Sequence, residues 1–277
     1  MVETLSDTES STQSLTEPPV LIHREGPVVH VTLNRPARRN AIGGGMGEAL
    51  DELLGELRGH SQARIIVLRG AGGHFCAGLD LTELVEGSPE ERLAAMQARN
   101  RRVGARLEEI SHLPQVVIAA VEGAAHAGGL GFLCCADITF ASADARFAAP
   151  EARRGLVPAQ ILPWLARRMG RPEAARMVLE GGVLTAAEAL RRGLVHEVAA
   201  DRAGLDALVA ASIGQLLEGA PGALTETKKL LAALGPLSPE GYAEAGAKAF
   251  GRTAAGPEAE EGIAAFRGKR KPGWALG

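Results

Sequence analysis

The sequence predicts an α/β fold that ends in a helical region. Short apolar runs recur between longer amphipathic stretches over the first two thirds of the 277 residues, and only helical patterns remain after about residue 200. Strands joined through helices imply parallel neighbours with right-handed crossovers, and so a layered core. The expected organisation is a disordered tail over 1–18, an α/β core over 19–200 and a C-terminal helical region over 201–277, the last used in subunit association.

The tail, MVETLSDTESSTQSLTEP, is rich in Ser, Thr and Glu, with too little apolar surface to offset the entropy of ordering it. Next, VLIHRE and PVVHVTLN flank Gly26, and Val29, Val31 and Leu33 share one side, which predicts a hairpin. Met46, Ala49, Leu50, Leu53, Leu54 and Leu57 recur at helical steps. RIIVLRG reads as a buried strand. A long polar-faced helix follows from about Pro89 to His112, then the strand QVVIAAVEG, the glycine cluster AAHAGGLGF and the strand DITFAS. ILPWLARRMG, PEAARMVLEG and TAAEALRRGL then read as helices in succession. Further on, the stripe Leu205, Leu208, Val209, Ile213, Leu216, Leu217 needs a surface to cover, either a partner subunit or the chain's own core.

With 46% hydrophobic and 23% charged residues the chain can bury a full core. A net charge of −3 gives no field that favours nucleic acid or an anionic membrane, so neither is expected as a partner. Cys76, Cys134 and Cys135 have neither metal-site nor redox-motif spacing, and their odd number argues against a disulfide framework. No metal is expected, and a cytoplasmic location fits. No apolar run reaches the roughly 18 residues of a membrane span, and no secretory signal is expected at the N-terminus.

Two glycine-containing turns follow buried strands, GGHFCAGLDL and AHAGGLGF. Ligands in α/β folds collect at such strand ends. The second turn is expected to open a helix, where unpaired N–H groups and the positive end of the dipole favour a negative oxygen. Glycines also serve tight turns and close packing, so these clusters alone do not decide between a site and a structural role.

LNRPARRNAI, HFCAGLDLTEL and AAHAGGLGF followed by ADITFASADARFAAPEARRGLVP, in this order and spacing, resemble the enoyl-CoA hydratase/isomerase (crotonase) superfamily over about residues 20–200. The resemblance implies a spiral of parallel β-strands and helices, and trimers or hexamers as dimers of trimers. It also implies an acyl thioester substrate on coenzyme A or an acyl-carrier-protein phosphopantetheine, with no other cofactor, and an oxyanion hole formed by the N–H groups of Leu79 and Gly128. Arg38, Ala77 and Asp80 are implied contacts of the coenzyme, with Gly129 and His126 beside them. Arg38 and Arg39 could equally be solvated surface charges.

A typical hydratase of this superfamily carries two glutamates across the substrate. By motif position Glu151 matches the second, whereas the first falls at Gly131, which can do no acid or base chemistry. One carboxylate can shuttle a proton between the α- and γ-carbons, which suits a Δ3,Δ2-enoyl-CoA isomerase. The glycine in GGLGFLCCADI and the segment GLVPAQILPWLARRMG instead resemble 3-methylglutaconyl-CoA and isohexenylglutaconyl-CoA hydratases and the dehydratases of polyketide β-branching. That resemblance implies addition or removal of water on a branched, carboxylated enoyl thioester, with Glu151 handling the α-proton. His126, two residues before Gly128, is the nearest candidate for a second group, although a lone histidine is more often structural. Arg153 and Arg154 are read as surface charges, and Cys134 and Cys135 as packing residues. A non-catalytic protein on the same frame is the contrasting reading, and the retained Glu151 argues against it.

Overall fold

A computed structural model describes residues 17–59, 62–80, 88–233 and 257–275; most of the N-terminal tail therefore lies outside the described residues. β1 (Val20–Glu25) and β2 (Val28–Leu33) form the expected antiparallel hairpin, closed by Gly26 at φ +53°. Helix α1 (Met46–Gly59) buries Met46, Leu50, Leu53, Leu54 and Leu57 and leads to β3 (Ile65–Gly70). Helix α2 (Pro89–His112) starts at a capping box in which Ser88 Oγ accepts from the Glu91 N–H while the Glu91 carboxylate accepts from the Ser88 N–H. Beyond it come β4 (Val116–Val121), β5 (Ala124–His126), α3 (Gly128–Cys135), β6 (Ile138–Ser142) and β7 (Arg146–Ala148). Helices α4 (Leu162–Met169) and α5 (Arg171–Glu180), strand β8 (Val183–Thr185), α6 (Ala186–Arg191) and β9 (Glu197–Ala199) follow. Helices α7 (Arg202–Glu218), α8 (Pro221–Ala233) and α9 (Pro257–Arg267) complete the described chain.

The main sheet has the order β1-β2-β3-β4-β6-β9, parallel from β2 onward. Each turn of the chain adds a strand here and a shorter piece to a second wall. That wall consists of the bridges Ile42↔Leu79 and Cys76↔Ala125 and the small sheet β5-β7-β8. The result is a spiral.

Strand β3 shows why its sequence does not alternate in polarity. Ile66 and Leu68 join the core under α1 and α2, while Ile65 and Val67 join a second cluster on the opposite face with Val28, Ile118, Ala120 and Phe140. Both faces are dry, as in parallel sheets covered by helices on each side. The second face is covered by α7 through Leu205 and Val209, with Leu208, Ile213, Leu216 and Leu217 packed around them. The apolar stripe of α7 therefore lies on the chain's own sheet.

Helix α8 is fastened to the start of β4. Lys228 Nζ donates to the Gln115 carbonyl at 2.6 Å and pairs with Asp137 at 2.7 Å, and Thr225 Oγ1 donates to the Pro114 carbonyl. Glu258 of α9 accepts from the N–H groups of Gly222 and Ala223 at the α8 N-terminus, where a carboxylate satisfies orphan donors. No single helix among the described residues is long and apolar enough to cross a membrane.

Candidate active site

The two glycine turns meet. The Ile42 N–H donates to the Gly78 carbonyl at 2.7 Å and the Asp80 N–H to the Ile42 carbonyl at 3.0 Å. This register turns the Leu79 N–H to the opposite side, where it has no acceptor among the described residues. Gly128 is the first residue of α3, and its N–H is likewise unpaired among them, as expected at a helix start. A Cβ added at Gly78 would lie 3.2 Å from the Gly128 nitrogen, and one at Gly128 would lie 3.9 Å from the Gly78 carbonyl carbon, the atom bonded to the Leu79 nitrogen. Two free donors thus sit side by side at the positive end of α3, an arrangement that can stabilise one developing oxyanion.

Two backbone features enforce the approach. Ala127 is held at φ 50°, ψ −118°, a conformation that glycine adopts freely and that costs other residues about 1–3 kcal/mol. Gly129 has an ordinary helical φ, but a Cβ there would lie 2.3 Å from the Cys76 carbonyl oxygen. That oxygen is itself fixed by the His126 N–H at 2.9 Å. Ala77 is held in the same turn by its N–H bond to the Arg39 carbonyl at 3.0 Å.

Glu151 leaves β7 through Ala149 and Pro150 and opens a 3-10 turn, Ala152–Arg154. Its Oε2 is buried with no hydrogen-bond partner among the described residues. Burial raises its carboxyl above the usual range, opposed by a bond from its own backbone N–H and by Arg154. His126 ends β5 opposite Ala148 of β7, three residues before Glu151. Its Nε2 is also buried and unpartnered. Burial lowers its imidazole first, and Arg154, Arg39 and His74 push in the same direction. Arg154 acts on both groups, whereas Arg153 is tied away through Nε to the Glu180 carbonyl at 2.9 Å.

Gly131 lies in a fully buried helix, and a Cβ there would be 2.9 Å from both δ-methyls of Leu107 and 3.0 Å from Ile161 Cγ2. A side chain at this position would have to displace those side-chain ends. Cys76 and Cys134 are buried, and burial pushes both thiols up to about 12. Cys135 moves in the same direction, so none of the three offers a thiolate.

Arg38 and Arg39 are exposed on the turn after β2, while Asp80 is 5% exposed and its Oδ2 lies 3.1 Å from Arg35 Nη2. The Asp80 carboxylate therefore faces Arg35 inside the protein, an arrangement suited to holding the loop. Sequence reasoning missed Asn40, which is fully buried. Its Oδ1 accepts from the Arg35 N–H, and its Nδ2 donates to the carbonyls of Ala71 at 2.9 Å and His74 at 2.6 Å. Asn40 thereby ties the turn after β2 to the glycine turn after β3. Its only signal was position, as the final polar residue of LNRPARRN. Among the described residues no cluster of three or more His, Cys, Asp or Glu side chains is placed to hold a metal ion.

Comparison with known proteins adds to this geometry. A family model described as enoyl-CoA hydratase/isomerase matches residues 23–276. The chain is 31% identical to a probable enoyl-CoA hydratase of Bacillus subtilis over 88% of its own length and 94% of that protein. It is also 31% identical to the 2,3-dehydroadipyl-CoA hydratase of Escherichia coli, over 91% of its length and 97% of that protein. The crystal structure of an enoyl-CoA hydratase/isomerase from Marinobacter aquaeolei superposes with a TM-score of 0.86 at 35% identity, covering 93% of this chain and 99% of that one.

Proposed function

Because the chain belongs to the enoyl-CoA hydratase/isomerase family, and so acts on acyl-CoA thioesters, we propose that it adds water to, or removes water from, a branched enoyl-CoA of the 3-methylglutaconyl type, using Glu151 as its one carboxylate. The observation that carries this reading is the unpartnered Glu151 Oε2 in a fold whose other family glutamate position is Gly131, which carries no side chain and faces Leu107 and Ile161. The N–H groups of Leu79 and Gly128 hold the thioester oxygen as negative charge develops on it, and each such donor is typically worth about 3–4 kcal/mol. In the hydration direction Glu151, kept protonated more readily by burial, delivers the α-proton. The 31% identity with a 2,3-dehydroadipyl-CoA hydratase supports an acyl group with a distal carboxylate, and Arg154, whose charge reaches Glu151, is a cation that could meet it.

The Gly131 position also favours a second reading, Δ3,Δ2-isomerisation, in which one carboxylate moves a proton from the α- to the γ-carbon. An acyl-carrier-protein thioester is a variant of the first reading. We also propose self-association into trimers or hexamers. Leu179, Val183 and Leu190, 78%, 57% and 41% exposed on consecutive elements, support it; light scattering tests it.

The deciding experiment offers crotonyl-CoA, 3-methylglutaconyl-CoA and a 3-enoyl-CoA to the purified protein and to Glu151→Gln. Hydration that disappears in the variant supports the proposal. Isomerisation alone replaces it with the second reading. Turnover of none of the three, with turnover of the same acyl groups on a carrier protein, moves the substrate to that carrier.

A further inference from the structure

Hydration needs two proton movements, one at the α-carbon and one at the water that bonds to the β-carbon. Glu151 serves the first, and the family's usual position for a second carboxylate is Gly131, which offers no side chain. His126 ends β5, the strand that pairs with β7, and Arg154 is a charge felt by both His126 and Glu151. Two other histidines of the described fold serve the backbone: His74 Nδ1 accepts from the Ala124 N–H at 3.2 Å, and His196 Nδ1 accepts from the Thr139 N–H at 3.0 Å. His126 makes no such bond, and its Nε2 is one of five buried side-chain polar atoms without a partner among the described residues. It stands two residues before the Gly128 donor, across the strained Ala127, and pairs in register with the strand that delivers Glu151. Arg154, Arg39 and His74 are the groups whose charge reaches it, and none of them is a carboxylate. The imidazole is accordingly held neutral, the form that can take up a proton.

We propose that His126 is the second acid–base group of this site and handles the water. This inference rests on the hydratase reading above. In hydration, water oxygen bonds to the β-carbon as His126 Nε2 takes one of its protons. The electron pair of the C=C bond passes to the thioester oxygen, held by the N–H groups of Leu79 and Gly128. The enolate then collapses as its α-carbon takes the proton of the Glu151 carboxyl. The imidazolium proton returns to the Glu151 carboxylate through solvent, so one water is consumed and both side chains are restored. Dehydration runs the same steps backwards.

The test separates the two proton movements. Exchange of the α-proton of butyryl-CoA and 3-methylglutaryl-CoA in D2O requires only Glu151 and the oxyanion donors. Hydration of crotonyl-CoA and 3-methylglutaconyl-CoA requires the water-handling group as well. His126→Ala and His126→Gln should lose about 10²–10⁴-fold in hydration, the usual reach of a general acid or base, while α-exchange stays within about threefold of the unmodified rate. The acid limb of hydration, set by protonation of His126 below the ordinary histidine range, should vanish in both. Equal losses of hydration and exchange would make His126 structural and overturn the proposal, as would full hydration in either variant. Absence of exchange and of hydration in the unmodified protein would overturn the hydratase reading itself. Isomerisation of a 3-enoyl-CoA without hydration would do so too.

Discussion

Gly129→Ala is the most demanding probe of the site, because the substitution adds one methyl group and removes no functional atom. The new Cβ would lie 2.3 Å from the Cys76 carbonyl oxygen, against about 3.0 Å for the tightest real contacts, so roughly 0.7 Å of separation must be found. Neither partner gives easily. The Cys76 oxygen is bonded to the His126 N–H, and Cys76 N–H is bonded to the Ala124 carbonyl, both at 2.9 Å. The displacement falls on the start of α3, which carries the Gly128 N–H, and on the Cys76–Asp80 turn, which carries that of Leu79. A misplacement approaching 1 Å costs on the order of 10²-fold in rate, and losing an oxyanion donor costs about 10²–10³-fold. We therefore expect kcat/KM for hydration to fall by about 10²-fold in steady-state assays. Stability should fall by about 1–3 kcal/mol in urea titrations, as for other overpacked sites. The control is Gly55→Ala on α1, where a Cβ meets nothing within 4 Å. It should gain about 0.5–1 kcal/mol from helix propensity, with unchanged turnover. Gly129→Ala hydrating within threefold of the unmodified protein would refute the claim that this contact sets the spacing of the two donors.

Three further outcomes follow from the same structure. Burial raises the Glu151 pKa, so the unmodified protein should lose stability relative to Glu151→Gln as pH rises from the unfolded value near 4.5 through the raised folded one; parallel unfolding curves across that window would contradict this. Arg154→Ala removes a cation that lowers both Glu151 and His126, so both limbs of the hydration pH profile should move to higher pH, and an unmoved profile would count against their shared neighbourhood. Lys228→Met strips the buried partner from Asp137 and from the Gln115 carbonyl and should cost about 1–3 kcal/mol by chemical denaturation; a change below a few tenths would show that α8 is held by other contacts.

The architecture was legible where a period is long enough to read. The stripe of α1 follows from sequence because six residues repeat helical steps, the hairpin because Val29, Val31 and Leu33 alternate after Gly26, and the start of α2 because Ser88, Pro89 and Glu91 mark a helix N-terminus. Strands β5, β7, β8 and β9 did not, since three residues carry no measurable period. Yet β5 and β7 deliver His126 and Glu151. The glycine turns were identifiable as candidates, but which N–H groups remain free depends on the Ile42–Leu79 register, which no local pattern encodes. Gly131 was readable as a missing carboxylate. That Leu107 and Ile161 face it is a fact of packing between residues distant in the chain.

The order of the main sheet nearly follows the order of the chain, so each strand emerging during synthesis finds its neighbour already made. The second face is different. Val28, Ile65, Val67, Ile118, Ala120 and Phe140 are in place once β6 has emerged at Ser142, but their cover ends at Leu217, about 75 residues later. At about 5–20 residues per second the nascent protein carries a bare apolar face for about 4–15 s. Until α7 has emerged, that face is apolar surface open to chaperones and to other chains.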